Sequence, residues 1–511
     1  MSRTAHLRGR LRRRILSRRM RGPYSYFIVH AKLFKLTLRF EAMRLIGRVA
    51  DGSTDTSASV ILLKDLEREV RAESLVLIKS GGSDVLGILR RGLGRNEFLS
   101  RSSYRPEVAY LRHGGEPSAA KEVYSFDIII IGEVADGRIR GNRKIIAPGS
   151  PVYIFDDENP LELFLVKSAK KLSWMRAHIE GKDWPVPADA FYIPYHVGVF
   201  GSTGSGKSYF TRHVLIPFYV QNGYRAIVLD WSGEDYAPYF ESVSMREIAA
   251  DESSILDYIS GMTENFYRNE AVRSAFEEFL QGWPEFVKGR SELEVYEELK
   301  KFIQESLRRI SREDWRRSAE RAFQRFLRKV KPEDLSPFMG SMNVSEIMDS
   351  GQVTVIDMSG FSNDAKLSLF LSLAEELKRR MVRGRSMNIA LIIDEAPQYC
   401  PYRPEGIQQR ATEEIKNLVA LGRKHHLNVT LIAQGIAGEI GINAAIRRNL
   451  NTNFYGRLHP LDAAGEGGAK EWLGPYGITP DYLLTLEEGR FYFSGAMNPS
   501  PVPLLVTFEV S

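Results

Sequence analysis

Residues 201–208 have the residue types and the spacing of a loop that binds phosphate groups. Glycines let such a loop curl so that its backbone N–H groups face a polyphosphate. Lys207 would place a point charge on the β- and γ-phosphates, and the Ser208 hydroxyl is a hard ligand suited to Mg²⁺. ATP and Mg²⁺ are therefore the expected cofactors. The predicted nucleotide-binding residues fit G-x-x-x-x-G-K-[ST] and are Gly201, Ser202, Thr203, Gly204, Ser205, Gly206, Lys207 and Ser208.

The segments on either side of this loop favour the same interpretation. The apolar run Val197–Phe200 before it is typical of a buried strand. The residues from Tyr209 onward are typical of a helix, whose N-terminus would face the phosphates. A chance glycine-rich turn would not need this strand–loop–helix order.

A second apolar strand ends in two carboxylates. Residues 389–393 are followed by Asp394 and Glu395, which is a Walker B arrangement. Asp394 is predicted to hold Mg²⁺ together with Ser208, and Glu395 to polarise or deprotonate the attacking water. The alternative is an ordinary strand end that carries two solvated acids.

Two further polar residues are candidates for catalysis. Gln434 ends the strand 428–433 and would sense or orient the γ-phosphate or its water, unless it only caps the strand. Arg423 ends a helix, where it is either a partner of the helix dipole or an arginine finger given to the ATP of a neighbouring subunit. The rival fingers are Arg447, Arg448 and Arg457.

Charge is distributed unevenly along the 511 residues. The formal net charge is +6, but the first 40 residues hold twelve arginines and lysines and no acids, so the remaining 471 sum to −6. A nucleic-acid-binding surface must therefore be local, such as a pore or groove. The single Cys400 excludes an internal disulfide, and no apolar run is long enough to span a bilayer. A cytoplasmic protein is expected.

The sequence divides by composition and predicted secondary structure into four parts, of which the first two are described here. Residues 1–42 are a basic extension, either a nucleic-acid-binding arm or a stretch without a role in the fold. Residues 43–160 contain short strands separated by turns, which predicts a small β-barrel. A linker with Gly and Pro is expected at 181–189.

The rest of the chain predicts an α/β ATPase core of the RecA-like P-loop NTPase type. Strands and helices alternate over residues 161–240 and 350–511, which indicates a largely parallel sheet with helices on both faces. Residues 241–349 are rich in charge and aromatics and predict a helical insertion. Its aromatic residues are expected to form a helical core: Phe276, Phe279, Tyr296, Phe302, Trp315, Phe323 and Phe326.

The order of these motifs resembles that of the HerA family, which is more distantly similar to the FtsK translocases. Pro148–Pro151, near the end of the predicted barrel, is similar to the HAS-barrel of that family. The segments that carry the resemblance are Gly201–Ser208, Asp230–Glu234, Val353–Asp357, Ile392–Ala396, Gly422–Lys424 and the strand that ends at Gln434.

The resemblance implies a homohexameric ATPase, a helicase or translocase stimulated by double-stranded DNA. In archaea the family works with the nuclease NurA in resecting DNA ends for recombinational repair. It also implies that Arg423 acts in trans and that Asp230 and Glu234 lie beside the nucleotide. The chain departs from the family at Gln434-Gly435-Ile436, where Gln-Arg-Pro is common, and at Tyr195-His196, where Arg-His is common.

Three functions are therefore expected candidates. The first is an ATP-driven double-stranded DNA translocase or helicase for end processing, with a NurA-type nuclease as partner. The second is a DNA-transfer or packaging motor. The third is a ring-shaped scaffold whose ATP binding assembles a defence effector.

Overall fold

The computed structural model describes residues 43–99, 106–115, 122–165, 171–249, 252–263, 269–384, 386–438 and 440–508. The basic extension 1–42 lies outside these ranges. The described chain forms two compact units. The first runs to Leu163 without Leu89–Gly92, and the second contains Leu89–Gly92 and the residues from Phe164 onward.

The first unit is built on a closed barrel of six strands. The strands pair in the order β2-β1-β7-β3-β4-β5, and β5 pairs again with β2, which closes the barrel. A seventh strand, β6, forms a hairpin with β5. Closure leaves no sheet edge among these six strands. The strands are β1 (Arg44–Val49), β2 (Ser57–Leu62), β3 (Leu75–Ser80), β4 (Ser83–Asn96), β5 (Glu122–Ala135), β6 (Arg138–Arg140) and β7 (Pro151–Ile154).

Alternation of apolar side chains explains why these segments fill a barrel. Ile46 and Val60 are fully buried, whereas Ile61 is 44% exposed. This period of two places every second side chain inside. Two short helices also form in this part of the chain, α1 (Pro106–Arg112) between β4 and β5 and α2 (Glu162–Leu165) between β7 and the next strand.

The second unit is built on an eleven-stranded sheet. Seven strands are parallel, in the order β12-β15-β11-β16-β17-β10-β18, and β19, β20, β8 and β9 continue the sheet with antiparallel pairing. Its strands are β8 (Leu172–Ile179), β9 (Pro185–Asp189), β10 (Val197–Phe200), β11 (Arg225–Asp230), β12 (Ser242–Ser244), β15 (Val353–Asp357), β16 (Ile389–Ile393), β17 (Leu427–Ala433), β18 (Thr452–Tyr455), β19 (Arg490–Gly495) and β20 (Leu504–Thr507). A separate pair consists of β13 (Ile248–Ala249) and β14 (Met342–Asn343).

Helices surround this sheet and fill the segment between β13 and β14. Several of their N-termini carry side-chain caps; for example, the Ser291 hydroxyl accepts the backbone N–H of Glu294, and the Glu294 carboxylate accepts that of Ser291. The helices are α3 (Lys207–Phe210), α4 (Ile216–Gln221), α5 (Glu252–Met262), α6 (Glu270–Leu280), α7 (Trp283–Val287), α8 (Glu292–Arg308), α9 (Glu313–Lys329), α10 (Val344–Asp349), α11 (Asn363–Val382), α12 (Ile407–Leu421), α13 (Ala444–Arg447), α14 (Pro460–Ala464), α15 (Ala469–Leu473) and α16 (Pro480–Leu484).

One hydrophobic core joins the sheet to helices α5–α9. It includes Ile227 and Leu391 of the sheet together with Phe276 and Phe323 of the helices. Truncating a buried Phe of this kind to Ala costs about 3–5 kcal/mol, so the helices are held firmly. The expectation that Trp315 is a core residue is wrong, because its side chain is 62% exposed.

The predicted fold class is confirmed: an α/β P-loop ATPase fold follows a small β-barrel. The linker expected at 181–189 is wrong, because Pro185–Asp189 is strand β9 and pairs with β8. Among the described residues, no helix is long and apolar enough to cross a membrane.

Candidate nucleotide-binding site

The order of three parallel strands brings the predicted catalytic residues to one edge of the sheet. Strand β17 lies between β16 and β10, with Ile393 opposite Leu431 and Phe200 opposite Ala433. Since parallel strands end at the same edge, the loop after β10, the carboxylates after β16 and the amide after β17 become neighbours.

The backbone of the phosphate-binding loop depends on two glycines. Gly204 and Gly206 have φ angles of 73° and 89°, a region that other residues rarely adopt. Helix α3 begins at Lys207, directly after Gly206. The short helix continues into a π-helical turn at Thr211–Leu215, an element often found at functional sites.

Lys207 lies over its own loop. Its Nζ donates a hydrogen bond to the carbonyl oxygen of Ser202 at 3.2 Å. Burial lowers the pKa of Lys207, and the nearby carboxylates of Glu395, Asp394 and Asp235 oppose that shift. The ammonium group of Lys207 thus lies close to three carboxylates.

Asp394 is a buried carboxylate in a cluster of negative charge. Its side chain is 4% exposed, and burial, reinforced by Asp235 and Glu395, raises its pKa to about 8. Uncompensated negative charge in a buried position is costly, so these oxygens favour a bound cation.

A chain of hydrogen bonds links the loop to Glu395. The hydroxyl of Thr203 donates to Oε1 of Gln434 at 3.2 Å, and Nε2 of Gln434 donates to Oε1 of Glu395 at 2.9 Å. Glu395 itself has a φ of 47°, a left-handed conformation that is uncommon for residues other than glycine. Strain of this kind often occurs where a side chain must be aimed at a site.

The carboxylate of Asp230, which the motif is expected to place beside the nucleotide, is engaged in its own turn. Its carboxylate is fully buried and accepts four hydrogen bonds, from the backbone N–H groups of Gly233, Tyr236 and Ala237 and from the Ser232 hydroxyl. These bonds shape the turn after β11. Asp235, further along the same turn, acts by its charge on both Lys207 and Asp394, and sequence reasoning missed it, whereas the charge of Asp230 acts on Asp394.

Arg457, which the sequence suggested only as a rival arginine finger, lies beside the phosphate-binding loop of its own chain. The backbone N–H of Ser202 donates to its carbonyl oxygen at 2.6 Å, and its Nε lies 3.5 Å from the Ser202 hydroxyl. Its Nη2 is 3.8 Å from where a Cβ on Gly204 would be. Arg457 is therefore a second cation beside the loop of its own chain. Arg447, by contrast, donates to the carbonyl oxygens of Ile436 and Gly467 and holds the loop after Gln434.

Arg423 lies at the other edge of the sheet. It is exposed, and its guanidinium is stacked 4.7 Å from the ring centre of Tyr195, two residues before β10 begins. The phosphate-binding loop starts after β10 ends, so the two sites are separated by about 20 Å at 3.3 Å per residue. Arg423 does not reach the nucleotide site of its own chain.

His196, next to Tyr195, is a structural residue. Its Nδ1 accepts the backbone N–H of Val429 at 3.1 Å, and its Nε2 therefore donates to the carbonyl oxygen of Val419 at 2.8 Å. Burial lowers its pKa to about 4. The ring is neutral at pH 7 and fastens β17 and α12 to the start of β10.

The residues at this edge fit ATP and Mg²⁺. The loop and Lys207 suit a triphosphate, and the N-terminus of α3 adds a favourable dipole. Mg²⁺ usually takes one or two protein carboxylates or hydroxyls together with phosphate oxygens and water. Ser208 and Asp394 are chemically such a pair, and their individual roles stay predictions.

Fold and site together define a P-loop nucleoside triphosphatase in which one strand separates the phosphate-binding strand from the acidic strand. Residues 177–377 match the family model described as the helicase HerA, central domain. The predicted resemblance to the HerA family is confirmed over these residues, and the protein is an ATP hydrolase.

Solved structures with a similar arrangement have low sequence identity to this chain. VirB4 of Thermoanaerobacter pseudethanolicus is 13% identical, with 66% of this chain and 96% of that chain covered and a TM-score of 0.46. The bacterial conjugative coupling protein TrwB is 15% identical, with coverage of 64% and 87% and a TM-score of 0.41. The genome packaging NTPase B204 from Sulfolobus turreted icosahedral virus 2 is 13% identical, with coverage of 62% and 99% and a TM-score of 0.33. No curated protein sequence matches significantly.

Proposed function

We propose that this protein is an ATP-driven translocase on double-stranded DNA, with a helicase-type ATPase at its centre. The observation that carries the proposal is the series of hydrogen bonds from Thr203 through Gln434 to Glu395. These residues belong to a protein whose central part matches the HerA family model. These hydrogen bonds couple the loop that would hold the γ-phosphate to the residue that would activate water. A motor needs that coupling, because its hydrolysis must be timed.

In the proposed reaction Glu395 accepts a proton from the water that attacks the γ-phosphorus. A phosphorus–oxygen bond forms to this water as the bond to the β–γ bridging oxygen breaks, giving ADP and phosphate. Gln434 orients the water, and Lys207 and Arg457 stabilise charge on the phosphate oxygens. Mg²⁺, when bound, neutralises phosphate charge. Arg423 supplies the remaining cation from a neighbouring subunit, which fits a homohexamer.

The DNA-gripping element of the proposal is the loop after the acidic strand. It leaves the site through the 3₁₀ turn Ala396–Gln398 and exposes Tyr402 and Arg403, and Arg410 is exposed in the first turn of α12, where the loop ends. A change at Glu395 would be transmitted directly to this segment. Contacts of arginine with phosphate are independent of sequence and weaken with salt.

We propose DNA end resection in recombinational repair as the biological role, with a NurA-type nuclease as partner. The resemblance to the HerA family supports this assignment. The bonds around Gln434 support a working ATPase although Gly435-Ile436 replaces the common Arg-Pro.

The proposal is tested by ATP turnover of the purified protein with and without linear double-stranded DNA, with Lys207→Ala as the blank. Strong stimulation by linear duplex is expected. If the protein binds DNA but its ATP turnover does not change when DNA is added, the translocase hypothesis is contradicted and the ATP-assembled scaffold is favoured.

The gripping loop is tested by the double variant Arg403→Ala and Arg410→Ala. Loss of both side chains is expected to remove most DNA stimulation while basal turnover stays unchanged, because neither residue belongs to the nucleotide site. Stimulation at the wild-type level would exclude this loop as the gripping element.

A further inference from the structure

Positive charge in the body of the protein is concentrated in one segment, which consists of helix α9 and the residues on either side of it. Residues 308–331, which include α9, hold ten arginines and lysines against three acids, a formal charge of +7. The other residues after position 40 therefore sum to −13. A strongly basic segment on an acidic body is not explained by solubility alone.

The basic residues of α9 form a stripe on its outer face. Arg317, Arg321, Arg325 and Arg328 are exposed and fall within an arc of about 80° at 3.6 residues per turn. The opposite face is anchored in the core by Ala319, Phe323 and Phe326. We call these four arginines the arginine stripe.

Acids of the chain do not neutralise most of this stripe. Arg317 pairs with Glu313 at 2.5 Å. Over the part of the chain that the structure describes, Arg321, Arg325 and Arg328 have no ion pair. Arginines four residues apart repel each other and destabilise a helix. An outside anion would relieve this repulsion.

The length and chemistry of the stripe suit a nucleic-acid backbone. Eleven residues separate Arg317 from Arg328, about 16 Å along the helix at 1.5 Å per residue. One strand of a duplex presents about five phosphates over that length, at about 3.4 Å each. Guanidinium groups bind phosphates strongly through paired N–H donors.

We propose that the arginine stripe is a second DNA-binding surface, which holds the phosphate backbone of double-stranded DNA. It is separate from the nucleotide site and from the gripping loop, and goes beyond the proposed function. The stripe lies on a helix fixed in the core, so it provides a static contact that keeps DNA bound while other contacts change.

The test compares two variants of the full chain that lose the same charge. The stripe variant carries Arg321→Gln, Arg325→Gln and Arg328→Gln, which preserve helix propensity. The matched control carries Arg68→Gln, Arg138→Gln and Arg383→Gln at exposed positions elsewhere. Binding of a fluorescent 30-base-pair duplex, a length of roughly three turns, is measured by anisotropy over a range of salt without nucleotide.

The stripe variant is expected to bind the duplex at least about tenfold more weakly at 0.1 M salt, with a salt slope reduced by about 2.7. The control is expected to behave like the wild type. Circular dichroism and basal ATP turnover should be unchanged in both. The same affinity in the stripe variant and the control would overturn the proposal.

Turnover at saturating DNA separates this proposal from the proposed function. The stripe variant should need more DNA for half-maximal stimulation but reach the wild-type maximum. A wild type that binds DNA through the stripe without any stimulation would overturn the motor and leave the stripe standing. Wild-type DNA affinity in the stripe variant would overturn the stripe and leave the motor standing.

Discussion

The two edges of the central parallel sheet differ in how completely their polar groups are satisfied. At the carboxyl edge, Thr203, Gln434 and Glu395 are joined by hydrogen bonds, and Lys207 is bonded to its own loop. At the amino edge, Arg423 is exposed and stacks on Tyr195.

This difference indicates which parts of the reaction one chain supplies. In the proposed mechanism, the carboxyl edge holds the base Glu395, the orienting amide of Gln434 and two cations, and these groups act within one chain. The amino edge presents an exposed arginine stacked on Tyr195, a position that suits the proposed finger for a second subunit. In this proposal each nucleotide site is completed between two subunits.

The largest effect should come from the amino edge. Arg423→Ala is expected to lower kcat by about 10³- to 10⁵-fold, the usual contribution of an arginine finger, with little change in nucleotide affinity. Steady-state turnover with parallel nucleotide binding checks this. Arg448→Ala tests the rival finger at another exposed position and should leave kcat unchanged, and Arg383→Ala is the neutral control at an exposed arginine. A normal kcat in Arg423→Ala would mean that Arg423 is only a partner of the helix dipole and not an arginine finger.

The bond chain at the carboxyl edge should give the next largest effect. Gln434→Ala is expected to lower kcat about 10²-fold, comparable to the loss of one donor at a transition state. Thr203→Val removes only the hydroxyl that positions the amide, so a smaller loss in kcat with an unchanged KM is expected. Equal turnover in Thr203→Val and the wild type would show that the chain of bonds does not position Gln434.

Arg457 tests whether a second cation belongs to the carboxyl edge. Arg457→Gln is expected to lower kcat/KM about 10- to 100-fold, since a charged hydrogen bond is worth about 1.5–3 kcal/mol. Arg457→Lys, which keeps the charge but loses the planar fork, should recover part of the loss. If Arg457→Gln changes stability but not kcat/KM, the residue serves only the backbone of the loop.

The smallest effect should be a pH dependence of stability at the amino edge. The pKa of His196 is about 4 in the folded protein and 6.5 ordinarily, so the unfolded chain binds more protons below pH 6.5. Stability should therefore fall as pH falls from 6.5 towards 4, by about 2 kcal/mol at pH 5. Denaturant unfolding of the wild type and of His196→Gln measures this slope, with the exposed His113→Gln as control. An equal slope in His196→Gln would contradict the assignment.

Local patterns predicted most of the carboxyl edge. The phosphate-binding loop Gly201–Ser208 and the two acids after an apolar run can be recognised from residues that are close together in the sequence. Gln434 was predicted from its position at a strand end, and β17 then places it between the loop and Glu395. Strand β15 begins and ends where the apolar pattern does, at Val353 and Asp357.

Residues placed by distant pairing could not be predicted. Arg457 reaches the loop only because β18 pairs in parallel with β10, about 250 residues earlier in the sequence. Asp235 rather than Asp230 faces Lys207 because backbone N–H groups occupy the Asp230 carboxylate. Pro185–Asp189 resembles a linker, yet β8 gives it a partner strand.

The central claim, a site completed between subunits, is tested most directly by mixing two inactive variants. Arg423→Ala keeps Glu395, and Glu395→Gln keeps Arg423, so mixed assemblies contain some intact sites. Turnover should recover towards about a quarter of the wild-type rate in a random equal mixture, if each site needs one finger in trans. The control mixture of Lys207→Ala with Glu395→Gln, two lesions within one chain's part of the site, should stay inactive. No recovery in assemblies shown to be mixed would contradict the account.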